Sequence, residues 1–178
     1  MAEHSAPNPS TDQIRSGAMW RRGLGGSAIA GAIGGIVWWL AAPTGAFYGD
    51  GKDYATWFPR DATLALILIL AGVVTALAAL RAERTRRQKG DGAAVSTGAF
   101  VLLLALCGLV GSVIAWRMGV FAGDLFGNPP SPLPNPSMVF SLRSGSVLLL
   151  WPLVSVLIVF LRTMYAYSFI PARVEERP

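Results

Sequence analysis

The chain has 178 residues, of which 53% are apolar and 14% are charged, and its formal net charge at pH 7 is +5. So many apolar and so few charged residues exclude both a disordered chain and an ordinary water-soluble domain. The basic residues do not indicate binding to nucleic acid, because they lie beside long apolar segments rather than on one polar face. The composition therefore predicts an integral membrane protein surrounded by the lipid bilayer.

Four apolar segments predict the architecture. They cover residues 23–43, 62–80, 94–117 and 145–166. Each is close to the ~20 residues that cross a hydrocarbon core of about 30 Å as a helix. We therefore expect an all-α fold, a four-helix transmembrane bundle within residues 20–170, preceded by a disordered tail at 1–19 and followed by a second tail at 171–178.

The distribution of basic residues predicts the orientation of the bundle. Eleven of the 15 lysines and arginines lie in the two tails and in the loop between the second and third spans. The other four are Lys52, Arg60, Arg117 and Arg143. Because positive residues accumulate on the cytoplasmic side, we expect both termini to be cytoplasmic in a bacterial plasma membrane, with outer loops near residues 44–61 and 118–143.

The first span has small residues at every fourth position, including Gly31 and Gly35. Side chains this small allow another helix backbone to come close inside a membrane. The third span has a matching set in Gly111, Ala115 and Gly119. We therefore expect the first and third helices to pack together.

The first outer loop combines turn-forming residues with aromatic residues, and we expect Pro59 to lie in a turn. We favour a loop that lies on lipid headgroups over a small recognition surface, because Trp and Tyr suit the membrane interface. Asp61 directly precedes the second span and is expected to cap the N-terminus of that helix. The second span has one glycine, Gly72, and is expected to face lipid. Substitution of Gly72 should therefore matter less than substitution of Gly111.

The loop after the second span is strongly basic. It contains Arg84, Arg86, Arg87 and Lys89. Fixing the orientation of the bundle is a sufficient role for these residues, and attraction of anionic lipid, at about 1 kcal/mol per charge, would accompany it.

The fourth span follows a proline-rich loop. We expect Ser144 or Ser146 to cap this helix, and Pro152 to kink it because proline lacks a backbone donor. The two halves of the chain also look related, since residues 34–40 can be aligned with residues 111–117. This similarity indicates either two parallel two-helix repeats or the recurrence of glycine followed by tryptophan near any membrane interface.

Three sequence segments, GGIVWWLAAP, SVIAWRMGVFAGD and GSVLLLWPL, occur in this order and are separated by a polar segment and a basic loop. In this arrangement they resemble a family of small four-helix integral membrane proteins of actinobacteria, with AWRMG and WPL as the most specific parts. The resemblance covers about residues 23–161 and implies the fold and the topology. The family has no established activity, so the resemblance implies no catalytic residues.

Residues that could carry out chemistry are scarce. The single cysteine, Cys107, lies inside a span and the single histidine, His4, lies in the N-terminal tail, so neither a metal site nor a nucleophile with a base is indicated. No carboxylate lies within a predicted span, which removes the usual proton relays of coupled transporters. We expect no enzymatic activity, no metal and no cofactor.

Arg117, at the end of the third span, is the residue that we expect to need a partner. A cation at the edge of a membrane is stabilised by an anion, and three are available: Asp61, Asp124 and a lipid phosphate. We favour Asp61, because an arginine–carboxylate pair would tie two helix ends together.

Two functions fit the sequence. The first is a structural or accessory role, in which the small-residue faces pack against a second copy or a larger membrane complex. The alternative is a small transport or lipid-handling unit, in which Arg117 holds an anionic headgroup or solute.

Overall fold

The computed structural model describes residues 9–43, 54–88, 96–126 and 142–169. These residues form four long helices: α1 (Pro9–Ala41), α2 (Tyr54–Gln88), α3 (Thr97–Phe126) and α4 (Leu150–Phe169), with a short 3-10 helix (Gly145–Leu149) before α4. Four helical segments are long and apolar enough to cross a membrane. The all-α, four-helix transmembrane fold is therefore confirmed, whereas the orientation in the bilayer stays a prediction.

The first helix begins earlier than the sequence predicted. Residues 9–19, assigned to a disordered tail, belong to α1. Proline is favoured at the first helical position, because the N–H that it lacks would have no partner there, and its φ angle already suits a helix. Residues 1–8 lie outside the described part of the chain.

The second helix is extended at both ends. It begins at Tyr54, so Pro59 lies inside the helix rather than in a turn, and Asp61 is not its N-cap. Burial of Arg60 and Asp61 in the bundle explains the extension, because tertiary packing can outweigh the ~3 kcal/mol cost of a helical proline.

At its other end, α2 continues to Gln88 and makes the basic loop partly helical. Arg84 and Arg86 are exposed on this extension. The side chain of Arg87 and all of Lys89 lie outside the described residues.

The helices pack as two main pairs, α1 with α3 and α2 with α4. In the first pair Gly31 lies against Gly111, and in the second Thr75 lies beside Ser155, so both pairs bring together residues that are 80 positions apart. Each pair runs in the same direction and unites equivalent helices of the two halves. This is the arrangement that two parallel two-helix repeats would produce.

The core lies where all four helices meet. Its fully or almost fully buried members are Trp38, Ala42, Leu64, Leu68, Ala115 and Trp151. Large apolar side chains also cover the outside of every helix, as a lipid-facing surface requires. On α2, Leu64 and Leu68 are buried whereas Leu66, Leu70 and Val74 are exposed, so this helix faces lipid on one side and the core on the other.

The fourth helix starts as the 3-10 helix and becomes α-helical at Leu150. Pro152 lies in the first α-helical turn, directly after the 3-10 helix, and the kink expected at this proline stays a prediction. The hydroxyl of Ser144 forms no capping bond and contacts the hydroxyl of Ser146 at 2.8 Å. Of the two serines expected to cap this helix, Ser144 therefore occupies the N-cap position without a side-chain capping bond, and Ser146 lies inside the 3-10 helix.

Candidate functional site

The interface between α1 and α3 is a direct contact of two backbones. A Cβ atom added to Gly31 would overlap the backbone of Gly111, and one added to Gly35 would overlap the carbonyl of Ala115 and come within 3.0 Å of the amide nitrogen of Gly119. These are the small residues that the sequence assigned to this contact. Glycine is needed here because no side chain fits between the two helices.

Two tryptophan rings cover glycines of α3. The ring of Trp38 lies against Gly119, and the ring of Trp151 lies 2.6 Å from the position that a Cβ of Gly111 would take. Both tryptophans are at most 1% exposed. The glycines of α3 therefore serve two purposes, since they admit a neighbouring backbone and also provide room for indole rings.

The interface between α2 and α4 contains hydrogen-bonded side chains. The indole Nε1 of Trp151 donates to Oγ1 of Thr75 at 3.0 Å, and the hydroxyls of Thr75 and Ser155 lie 3.2 Å apart. Ser155 also donates to the carbonyl oxygen of Gly72 at 3.1 Å. The group crosses from one helix to the other, and each of these three side chains has a partner in it.

Gly72 is a close-contact residue of this second interface. A Cβ there would lie 2.9 Å from the carbonyl oxygen of Trp151 and 3.0 Å from the Cβ of Val154. Gly72 therefore lies in a helix contact and does not face lipid, whereas the expectation that its substitution matters less than that of Gly111 stays a prediction. One isolated glycine gives no i, i+4 pattern, so the sequence offered little to reveal its role.

Buried charged residues lie at the end of the bundle where α1 and α3 finish and α2 and α4 begin, which we call the Asp61 end. Arg60 is 2% exposed and Asp61 is 4% exposed. The carboxylate of Asp61 accepts hydrogen bonds from the backbone N–H groups of Arg143, at 3.2 Å, and Ser144, at 2.9 Å. Trp38 donates from Nε1 to the carbonyl oxygen of Arg60 at 2.9 Å. These bonds join α1, α2 and the segment that leads into α4.

The structure does not bring Arg117 to Asp61. Arg117 is exposed, and its guanidinium carbon lies 5.4 Å from the ring centroid of Trp116, within cation–π range. Asp61 faces the interior instead, where its electrostatic partners are Arg60 and Arg143. The two predicted partners are separated because one side chain points outward and the other inward. Asp124 is also exposed.

The remaining candidate group that the structure describes is the thiol of Cys107, whereas His4 lies outside the described residues. The thiol of Cys107 is buried beside the side chain of Ser27, where it packs against α1 near Gly23. Within the described residues, no group of three or more histidine, cysteine or acidic side chains could hold a metal ion.

No protein-family model, curated protein or solved structure matches the chain. The resemblance to four-helix membrane proteins of actinobacteria therefore stays a prediction.

Proposed function

We propose that the protein is a structural or accessory component of a membrane assembly, in which the rigid four-helix bundle presents its outer surface to another copy or to a larger membrane protein. The observation that supports this most is how the interior is filled. Backbone contacts between α1 and α3 and the buried rings of Trp38 and Trp151 occupy the centre of the bundle.

The hydrogen-bonded side chains between α2 and α4 support the same proposal. Thr75, Ser155 and Trp151 bond to one another and to the carbonyl of Gly72, on the α2–α4 side of the bundle. A transport pathway uses polar groups that can exchange partners with a solute or with water. Groups that already satisfy one another stabilise a helix pair, which favours the accessory role over the transport role.

Purification in a mild detergent tests this function. We expect the tagged chain to be retained with a stoichiometric protein partner, or as a homo-oligomer of defined mass. Ile33→Trp on α1 and Leu70→Trp on α2 each enlarge an exposed apolar side chain. One of these variants should lose the partner while its circular dichroism remains that of the wild type.

A chain that purifies alone as a monomer, and that moves an anionic solute or lipid across reconstituted vesicles, would contradict the accessory role. That outcome would support the transport alternative.

A further inference from the structure

The exposed surface of α3 contains an apolar track that ends at a cation. Its residues are Leu102, Leu106, Leu109 and Val113, each at least 39% exposed. They follow one another at intervals of three or four positions, so they form a continuous stripe along the helix. Arg117 is the next residue of this stripe, and Phe121, which is 56% exposed, follows it.

The distance of Arg117 from the start of α3 is that expected for a residue at the headgroup region of a bilayer. It lies about 20 residues after Thr97, where α3 begins, and a helix rises by 1.5 Å per residue, so roughly 30 Å separate the two. That distance is about the thickness of the hydrocarbon core. When the start of α3 lies at one membrane surface, Arg117 lies at the other.

The guanidinium is available for an external anion. Among the described residues, the contact recorded for Arg117 is the ring of Trp116, while Asp61 is engaged by Arg143 and Ser144. Trp116 is half-buried and packs against the core, so it holds the guanidinium at the bundle surface. This cation–π contact involves no oxygen acceptor, so the N–H groups of the guanidinium can bind two oxygens.

We propose that Arg117 binds the phosphate of a phospholipid, with an acyl chain lying along Leu102, Leu106, Leu109 and Val113. Two guanidinium N–H groups donate to two phosphate oxygens, which is the geometry that arginine forms most readily with phosphate. The apolar track supplies the contact for the chain, so the site recognises both parts of a lipid. This site goes beyond the accessory function and does not depend on it.

Native mass spectrometry of the detergent-purified chain, titrated with phosphatidylglycerol, tests the proposal. We expect Arg117→Gln to weaken binding of the lipid roughly tenfold, since a charge-assisted hydrogen bond is lost. Arg117→Lys keeps the charge without the two-pronged geometry and should give an intermediate affinity. The matched control is Arg84→Gln, which removes one exposed cation at the opposite end of the bundle and should leave this affinity within about twofold.

Two further ligands show whether the site recognises the phosphate group, the acyl chain or a free anion. Diacylglycerol lacks the phosphate, so its binding should be the same for the wild type and Arg117→Gln. Inorganic phosphate lacks the chain and should not displace the lipid at equal concentration. Displacement by inorganic phosphate would show a site for a free anion and overturn the proposal.

The proposal is also wrong if Arg117→Gln binds phosphatidylglycerol as the wild type does, or if Arg84→Gln loses as much affinity. Circular dichroism checks that each variant is folded. If Arg117→Gln does not fold, the comparison of Arg117→Lys with the wild type decides the question, because wild-type affinity in that variant would exclude the two-pronged contact.

Discussion

The two helix pairs of this bundle are held together by different means. Between α1 and α3 the backbones touch at Gly31 and Gly35, with no room for a side chain. Between α2 and α4 the helices are joined by hydrogen bonds that involve Thr75 and Ser155. Inside a membrane, where burial of apolar surface does not drive helix association, close packing and hydrogen bonding are the two available sources of stability. The α1–α3 pair uses close packing, whereas the α2–α4 pair adds hydrogen bonds to a close approach at Gly72.

Because the backbones of α1 and α3 touch at Gly31, we expect substitution of this residue to lower the free energy of unfolding most. Gly31→Leu places a side chain against the backbone of Gly111, which cannot move aside without separating the helices. We expect a loss of about 3 kcal/mol or more in the free energy of unfolding, measured by denaturation in mixed micelles, because overpacking of a tight contact is costly.

The control for this variant is Gly25→Leu on the same helix, where a Cβ would meet nothing within 4 Å. It should not lower the stability, and should raise it slightly because leucine is a better helix former than glycine. Equal losses in the two variants would show that leucine at any glycine of α1 is destabilising, and that the contact with α3 has no special weight.

The next largest effect is expected at Asp61, which ties α2 to the start of α4. Asp61→Ala removes the acceptor of two backbone N–H groups and a negative charge beside the buried Arg60. Loss of one member of a buried charge group costs about 3 kcal/mol in the free energy of unfolding. Asp61→Asn keeps one acceptor oxygen and should lose about half as much.

The matched control is Asp124→Ala, which removes an exposed carboxylate near the same end of the bundle. Its stability should remain within about 0.5 kcal/mol of the wild type. If Asp61→Ala is as stable as Asp124→Ala, the bonds to Arg143 and Ser144 do not hold the segment before α4.

Substitution of Gly72 tests how much close packing contributes to the α2–α4 pair, which is also joined by hydrogen bonds. Gly72→Ala would place its Cβ 2.9 Å from the carbonyl oxygen of Trp151, while alanine gains about 1 kcal/mol in helix propensity over glycine. We expect a net loss of about 1 kcal/mol in the free energy of unfolding, smaller than the loss for Gly31→Ala. Gly25→Ala has no such clash and should stabilise the protein. A stabilising effect of Gly72→Ala would show that α2 and α4 adjust to the added methyl group.

The α1–α3 contact could be predicted from the sequence because its cause is local. Small residues at every fourth position, such as Gly31 and Gly35, give one helix a face that any partner can approach. A second stripe of the same kind on α3 then indicates the partner. The four spans were predictable for a similar reason, since length and hydropathy within each segment determine whether a helix can cross a membrane.

The contacts of Asp61 and Trp151 could not be predicted in this way. The bonds from Asp61 to Arg143 and Ser144 join residues more than 80 positions apart, and they exist because α2 begins at Tyr54, before the apolar segment. The hydrogen bond from Trp151 to Thr75 depends equally on how α4 is rotated against α2. Composition and periodicity describe single helices, whereas these bonds depend on how two helices are placed relative to each other.

The smallest effect is the coupling energy expected between the hydroxyls of Thr75 and Ser155 in the α2–α4 pair. Thr75→Val and Ser155→Ala each remove one member of the bonded group, and each should lower the free energy of unfolding by about 1 kcal/mol. The two losses should not add, because the hydroxyls lie 3.2 Å apart, and the coupling energy should be near the ~0.6 kcal/mol found for such bonds between membrane helices. Thr85→Val is the matched control, since the exposed hydroxyl of Thr85 donates to the carbonyl of Arg81 within its own helix, and its loss should have little effect. Additive losses for Thr75→Val and Ser155→Ala would mean that the contact between the two hydroxyls contributes nothing to stability, and that each hydroxyl acts only through its separate bond, to Trp151 or to the carbonyl of Gly72.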